Sequence, residues 1–594
     1  MKRMKPWQGA CAAAAFFVSA GMTSTVFAAD VAGIDNTKWQ YNAEDDVYYQ
    51  TGITYVAKPA DTNYETMGIF VPGAYMKATA NGDGTYTAKV NKRGKAGSYT
   101  AKNAPVVMPV ETPGYSAMTP PSGYVSDVSK FTKEGMVYLY AGARGRDHGA
   151  PAGVTDMKAA IRYLRQNNKA VPGDKEKLFS FGMSGGGAQS ALLGATGDSP
   201  LYQPYLDAIG AADGSDAILG TMDWCPITSL DVADEAYEWN MGLTRQNLTP
   251  FEANVSKELA TAFIGQLNDM NLKDENGTPL TLEQSEDGYG QQGTYYEYMK
   301  GVVEQSFENF LQDTLFPYDS SENTQMGGPG GPGGPGGAGQ FNGPRKMPRH
   351  PASTGADMSN APSISADASQ GGEPDFTKMD NIRRNGTEAA VTVSGVYETP
   401  SEYIAALNKP FHWIDYDIFT KQVTITSLAD FARAMKPASK QLGAFDQFDR
   451  GQGENTLFGY GDGTGAHFDA VLGDIVRGSE YETDFAADLA RLDALGTPVS
   501  VRLDMYNPLY YLLPSYTGYG TSKPAKYWRI RTGIDQGDTS LSTEVNLALA
   551  AAQYSPANQV DFATVWGLKH VRAERTGDPD DNFIAWVKAC TTKK

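Results

Sequence analysis

Short apolar runs alternate with a helical repeat in the first third of the chain. Residues 135–140 and 177–181 are apolar runs of strand length. Residues 154–167 between them carry apolar side chains at helical spacing, for example Met157 and Ile161. A strand, a helix and a second strand in this order predict two parallel strands joined by a crossover helix.

The same alternation returns near the C-terminus. Here the pattern predicts strands at residues 527–531 and 560–566 and helices at residues 541–554 and 582–589. The β-rich start of the chain predicts antiparallel leading strands, at residues 47–56, 68–71 and 86–90. We therefore predict an α/β protein with a mostly parallel central sheet and helices on both faces.

The stretch between these two regions differs in composition. It carries helical patterns and includes residues 324–374, which run through Gly-Gly-Pro repeats into a Ser/Ala/Pro-rich segment. Such a segment buries too little apolar surface to offset the entropy of ordering, which predicts a disordered loop. The predicted organisation is a signal peptide (1–28), a first core part (29–225), an inserted lid or cap (226–497) and a second core part (498–594).

The N-terminus has the pattern of an export signal. Basic residues within the first five positions precede an apolar stretch at residues 10–20, and Val26 and Ala28 fit the small-residue positions before a cleavage site. The pattern predicts a secreted or periplasmic protein, cleaved near Ala28, with no membrane span. In such a compartment Cys225 and Cys590 have the opportunity to pair, and the sequence leaves that pairing open. The formal net charge of −19 argues against nucleic acid as a partner.

The strongest chemical signal is the segment Gly182-Met183-Ser184-Gly185-Gly186. It follows an apolar strand and precedes a helical run, which is the context in which a G-x-S-x-G motif forms a nucleophile elbow. A phosphate-binding turn is the alternative, but the segment has no P-loop lysine. We therefore predict Ser184 as a nucleophile.

A nucleophilic serine needs a base and an acid that orients the base. His570 follows the last predicted strand, where this type of sheet places the histidine, whereas His148 precedes Ser184 and the remaining three (His350, His412 and His467) lie in the predicted insert. Asp538 is predicted as the acid, with Asp535 as the alternative. The amides of Gly185 and Ala143 are predicted to stabilise the oxyanion.

With these residues in place, the sequence resembles bacterial tannases and related feruloyl-esterase-like α/β-hydrolases. The resemblance covers most of the predicted mature chain on both sides of the Gly/Pro-rich segment. It rests on the segment around Ser184 and on six further stretches: residues 140–147, 159–165, 237–239, 454–459, 527–531 and 565–567.

The resemblance implies how the substrate is held. Bacterial tannases hold the galloyl hydroxyls with a lid lysine, a lid glutamate and a carboxylate near the catalytic acid, and Lys440 and Glu454 match the first two. Without the resemblance, both residues would be interpreted as ordinary solvated charges. The acidic loop departs from the family, because Asp535 and Asp538 are three positions apart rather than two. Neither Ser184 nor His570 has the neighbouring cysteine of the fungal enzymes.

These inferences predict a serine esterase that acts on small phenolic esters, galloyl esters first. The alternative is a feruloyl esterase or general carboxylesterase of the same fold, followed by a serine peptidase and by a non-catalytic surface-binding protein. No cofactor is implied. No metal site is predicted: residues 269–278 are similar to a calcium loop, but their sixth position, which must be glycine, is Asp274. The sequence leaves the oligomeric state open.

Overall fold

A single nine-stranded sheet organises the molecule. The structure is a computed structural model and describes residues 31–321 and 387–592; the predicted signal peptide and the predicted disordered loop lie outside the described residues. In chain order the strands of the sheet are β1 (Gln40–Asn42), β2 (Val47–Thr54), β3 (Thr66–Pro72), β4 (Val106–Val110), β5 (Val137–Ala141), β6 (Leu178–Met183), β7 (Gly220–Trp224), β8 (Tyr527–Gly533) and β9 (Gln559–Val565).

The strands lie in the order β1-β2-β3-β5-β4-β6-β7-β8-β9. The first three strands and β5 pair antiparallel, whereas every pair from β5 to β9 is parallel. The predicted mostly parallel sheet with antiparallel leading strands is thereby confirmed. One strand is placed differently, because Tyr86–Val90 pairs with Met76–Ala80 in a separate hairpin.

Helices cover both faces of the sheet, which the alternation of side chains along β6 explains. Phe179 and Phe181 contact Trp586 and Phe583 of the last helix, with ring centroids 5.5 and 4.5 Å apart. Ser180, between them, points to the other face and its hydroxyl lies 2.9 Å from that of Ser190. A strand buried on both faces is typical of a parallel sheet between helical layers.

The helices number sixteen in the described residues. They are α1 (Val128–Lys133), α2 (Ala152–Gln166), α3 (Gly185–Ala195), α4 (Gln203–Ala208), α5 (Ala233–Met241), α6 (Pro250–Met270), α7 (Thr294–Asp313), α8 (Pro400–Leu407), α9 (Leu428–Met435), α10 (Gly453–Leu457), α11 (Ala470–Ile475), α12 (Glu482–Ala490), α13 (Val499–Met505), α14 (Pro508–Leu512), α15 (Leu541–Tyr554) and α16 (Pro579–Thr592). Short 3-10 turns include Pro113–Tyr115 and Arg146–His148. None of these helices combines the length and apolar character needed to cross a bilayer.

Residues 225–526, which connect β7 to β8, are called the insert below. It contains α5 to α14 and two small pairs of antiparallel strands, Tyr318–Asp319 with Val396–Tyr397 and Ile414–Tyr416 with Val423–Ile425. The insert therefore leaves and re-enters the sheet between two neighbouring parallel strands. Because the carboxyl ends of parallel strands meet at one edge, the chain after β6, β7, β8 and β9 converges there.

Candidate active site

Ser184 stands at a sharp turn between β6 and α3. Its backbone has φ 60° and ψ −127°, a conformation that a residue with a side chain adopts only under constraint. Its N–H donates to the Trp224 carbonyl at the end of β7, at 2.9 Å, and this bond fixes the turn against the next strand. The geometry is that of a nucleophile elbow.

The glycines around Ser184 are required by close backbone approach. A Cβ at Gly182 would lie 2.4 Å from the Gly186 carbonyl oxygen, and a Cβ at Gly186 would lie 2.1 Å from that of Val110. No side chain fits at these distances. The glycines therefore allow β4, β6 and α3 to meet at the serine.

His570 lies in the loop after β9, beside the acidic loop after β8. Its Nδ1 atom is 3.3 Å from Oδ2 of Asp538, and the two side chains are 9% and 1% exposed. Both ring nitrogens of His570 are buried without a hydrogen-bond partner in the described part of the chain, so the contact with Asp538 is at ion-pair distance and is not a formed hydrogen bond. The Nε2 atom is thereby left open to a hydroxyl brought to it.

The His570 loop is held against the strand that Ser184 contacts. The Cys225 thiol, one residue after Trp224, donates to the Val571 carbonyl with Sγ and oxygen 3.2 Å apart. Gly533 at the end of β8 lets the loop approach, because a Cβ there would lie 2.1 Å from the Lys569 carbonyl oxygen. No disulfide joins Cys225 and Cys590 in the structure, so the pairing that the sequence left open is not formed.

The two candidate acids have different surroundings. Asp538 contacts His570, while Asp535 lies toward Lys569 and the aromatic residues Tyr318 and Tyr403, whose pKa values its charge helps to raise. Burial raises the pKa of Asp535 to about 7. The geometry favours Asp538 as the partner of the histidine.

A buried polar network shapes the acidic loop. The Gln536 side-chain oxygen accepts the Asp538 N–H at 3.0 Å, and its amide group donates to Glu544 at 2.9 Å. The Lys436 ammonium donates to the Gln536 carbonyl. Burial raises the pKa of Glu544 to about 7. Burial also lowers the pKa of Lys436, although the negative charges of Glu544 and Asp538 act to raise it.

The oxyanion donors differ in part from the prediction. Gly185 follows the serine at the start of α3, as expected, but the Ala143 N–H donates to the Met118 carbonyl at 2.9 Å and is already engaged. The loop that lies against Gly185 follows β4: a Cβ at Gly185 would be 2.5 Å from the Tyr115 amide nitrogen and 3.2 Å from that of Gly114. The sequence signal for this loop is the Pro113-Gly114 pair after the apolar run of β4.

Lys440 is buried beside the acidic loop. The N–H groups of Ser439 and Lys440 both donate to the Tyr237 hydroxyl at 3.0 Å, and this hydroxyl donates to the Gly537 carbonyl at 3.0 Å. The Lys440 ammonium lies 3.9 Å above the ring of Phe445. It has no hydrogen-bond partner within the described residues.

Glu454 lies near Tyr115, whose loop lies against Gly185 beside the serine. It belongs to α10, and its charge contributes to the raised pKa of the buried Tyr115, after burial itself. The Tyr115 hydroxyl donates to the Ile227 carbonyl, and the Ile227 N–H reaches the Ser184 carbonyl at 3.5 Å. One carboxylate oxygen of Glu454 is buried without a partner in residues 31–321 and 387–592.

Asp446 links the segment beside Lys440 to the segment that carries Glu454. Its carboxylate accepts the Asn455 side-chain amide at 2.8 Å, next to Glu454, and the backbone of Asp446 continues directly from Phe445. It also lies 2.7 Å from Nδ1 of His467, which explains why that insert histidine is buried. Sequence reasoning missed this residue, because burial of one aspartate among many leaves no local signal.

The other described histidines each lie beside an aspartate, as His467 does. His412 is exposed beside Asp415, and His148 lies 3.3 Å from Asp61. His350 falls outside the described residues. The described side chains include no group of three or more His, Cys, Asp or Glu arranged to hold a metal ion.

Comparisons with known proteins bear on the fold that carries this site. A family model described as BD-FAE matches residues 98–284, which include the elbow. Tannase from Fusobacterium nucleatum superposes with a TM-score of 0.62 at 25% identity, over 92% of this chain and 95% of that one. Tannin acyl hydrolase from Lactobacillus plantarum gives 0.60 at 25%, over 92% and 94%. The fold is that of an α/β-hydrolase.

A curated relative supports the same assignment over a shorter stretch. Esterase LipC of Mycobacterium tuberculosis is 34% identical over 101 residues, which are 16% of this chain. The alignment spans only 25% of the length of that esterase. This relative and the superposed structures are all named as enzymes that hydrolyse esters.

Proposed function

We propose that the chain is a serine esterase that hydrolyses carboxylic esters of phenolic acids, with galloyl esters as the first substrate class. The observation that carries the proposal is the strained Ser184 at the sheet edge where the loop of His570 and Asp538 also lies. The tannase structures and the BD-FAE match support an ester hydrolase of this type.

In the proposed reaction the Ser184 hydroxyl attacks the ester carbonyl carbon, and His570 Nε2 takes the hydroxyl proton. The imidazolium then gives that proton to the alcohol as the C–O bond breaks, which leaves an acyl-enzyme. Water attacks the acyl-enzyme by the same route and releases the acid. Asp538 keeps His570 in the required tautomer by accepting from Nδ1.

The developing oxyanion needs donors close to the serine. We assign this role to the Gly185 amide and to the Gly114 amide of the 112–115 loop, which lies against it, because the Tyr115 N–H of that loop already donates to the Thr112 carbonyl at 2.9 Å. This loop replaces Ala143, whose N–H is engaged. The loop follows the strand beside the nucleophile strand, where α/β-hydrolases supply their second donor.

Lys440 and Glu454 are proposed to bind the ring hydroxyls. A buried ammonium and a buried carboxylate oxygen without partners are costly unless a ligand satisfies them. Vicinal phenols supply both an acceptor and a donor, and therefore match the pair. The insert that carries both residues is proposed to act as the lid, and the signal sequence of residues 1–28 to direct export.

The experiment compares hydrolysis of methyl gallate, methyl ferulate and a small acetate ester by the mature chain and by Ser184→Ala. Gallate turnover that dominates and disappears in the variant supports the proposal. Ferulate turnover that dominates would support the second candidate, a feruloyl esterase, which the BD-FAE match favours. Equal hydrolysis of any ester by both proteins would overturn the role of Ser184.

A further inference from the structure

A buried carboxylate of the loop that carries His570 makes side-chain contacts to the sheet. Glu574, four residues after the histidine, accepts from both terminal nitrogens of Arg529 in β8, one of them at 2.7 Å. The indole N–H of Trp224 in β7 donates to the same carboxylate at 3.0 Å, and Asn582 of α16 donates at 3.2 Å. The Glu574 side chain is 4% exposed.

Trp224 also holds the nucleophile. Its backbone carbonyl accepts the Ser184 N–H at 2.9 Å, so one residue contacts the serine through its backbone and Glu574 through its side chain. The neighbouring Cys225 thiol reaches the Val571 carbonyl. The end of β7 therefore contacts both the serine segment and the histidine loop.

We propose that Glu574 is a positioning residue for the reaction, which sets the place of His570 relative to Ser184 by tying the histidine loop to Trp224 and Arg529. This inference rests on the proposed function for the roles of Ser184 and His570. It adds a residue that touches neither the substrate nor the triad. Small displacements of a base lower the rate steeply, because proton transfer needs hydrogen-bond distance.

The charges around Glu574 offer a matched control. Arg529 and Arg531 are both buried in β8, and two carboxylates face them, Glu574 and Asp561 of β9. Asp561 lies 2.6 Å from Arg531, but its side chain is half-exposed and it belongs to the strand rather than to the histidine loop. Loss of either carboxylate perturbs the same arginine pair, whereas only Glu574 links that pair to the loop.

The test measures kcat and KM for the best ester substrate in Glu574→Gln, Asp561→Asn and the unaltered chain. It also measures the rate at which a fluorophosphonate labels Ser184. We expect Glu574→Gln to lower kcat about 10- to 100-fold with KM changed less than about three-fold, and to slow the labelling in parallel. Asp561→Asn should keep both rates within about two-fold.

Thermal unfolding by circular dichroism separates positioning from stability. If Glu574→Gln does not fold, Trp224→Phe removes the indole donor and keeps an aromatic ring beneath Arg572, and a several-fold fall in kcat with a folded protein is expected. Equal kcat in the unaltered chain and Glu574→Gln, or an equal fall in Asp561→Asn, would overturn the inference alone. An unaltered chain that neither hydrolyses an ester nor reacts with the phosphonate would overturn the proposed function, and the inference with it.

Discussion

Replacement of Lys440 by methionine tests whether the buried ammonium of Lys440 binds a ligand. The ammonium has no hydrogen-bond partner in the described residues, and its nearest compensation is the ring of Phe445 at 3.9 Å. An unsatisfied buried polar group costs about 1–3 kcal/mol, and more when it is charged. A cation over an aromatic face recovers about 0.5–2 kcal/mol of this.

The balance predicts opposite effects on stability and function. Methionine fills the same volume without a charge, so Lys440→Met should raise the free energy of unfolding by about 1 kcal/mol. With substrate, the variant loses a charge-assisted hydrogen bond worth about 1.5–3 kcal/mol. At 1.4 kcal/mol per factor of ten, this is a fall of about 10- to 100-fold in kcat/KM for methyl gallate.

The assay pairs two esters and two variants. Methyl benzoate has no ring hydroxyls, so its kcat/KM should change less than about three-fold in Lys440→Met. Lys409→Met, an exposed lysine after α8, serves as the control and should change neither rate nor stability. A variant that unfolds more easily and loses both esters equally would refute the reasoning, because Lys440 would then be part of the structural core.

Three further predictions concern the framework of the site. Gly186→Ala should lower the free energy of unfolding in urea by about 1–3 kcal/mol, because the new Cβ would collide with the Val110 carbonyl. Gly301→Ala is the control: this glycine lies in the middle of α7 with space for a Cβ, and the change should raise the same free energy by about 0.5–1 kcal/mol. Burial raises the pKa of Asp223 from 3.8 to about 8, so the folded state retains a proton that the unfolded state loses, and stability falls as pH rises through this interval. The unfolding temperature of Asp223→Asn, measured at pH 5, 7 and 9, should therefore exceed that of the unaltered chain by a margin that grows with pH; a constant margin would contradict this. Asp446→Asn should raise KM for methyl gallate more than for methyl benzoate, because it releases the elements that carry Lys440 and Glu454; equal changes would indicate a general loss of packing.

The sequence pattern predicted those parts of the fold in which apolar side chains repeat without interruption. Helix α15 has the predicted bounds, and β5, β6, β8 and β9 lie within a few residues of the predicted runs. Strand β4 was missed because Pro109 lies inside it, and proline is rare in central strands. Its pairing with β5 covers only Val106 and Val107, so that ladder ends before the proline.

The missed strand explains why the predicted oxyanion donor differs from the loop that the structure brings to Gly185. Without β4, the loop at Ala143 was the nearest one after an apolar strand, whereas the 112–115 loop is the one that lies against the serine. The choice between Asp535 and Asp538 likewise depends on loop conformation, which the Gln536 side chain fixes through the Asp538 amide. Ser184 and His570 could be proposed from the sequence because motif context and chain order single them out, and their catalytic roles stay a prediction.

The acidic loop couples the chemistry to the insert. Gln536 and Gly537, the two residues before Asp538, accept hydrogen bonds from the Lys436 ammonium and from the hydroxyls of Tyr237 and Ser439. Displacement of residues 436–440 therefore removes contacts from the backbone that positions Asp538, as well as moving Lys440 away from the site. It follows that the proposed ring recognition and the proposed orientation of His570 depend on the same contacts. An ester without ring hydroxyls should still require a docked insert, because Asp538 needs these contacts whether or not Lys440 binds anything.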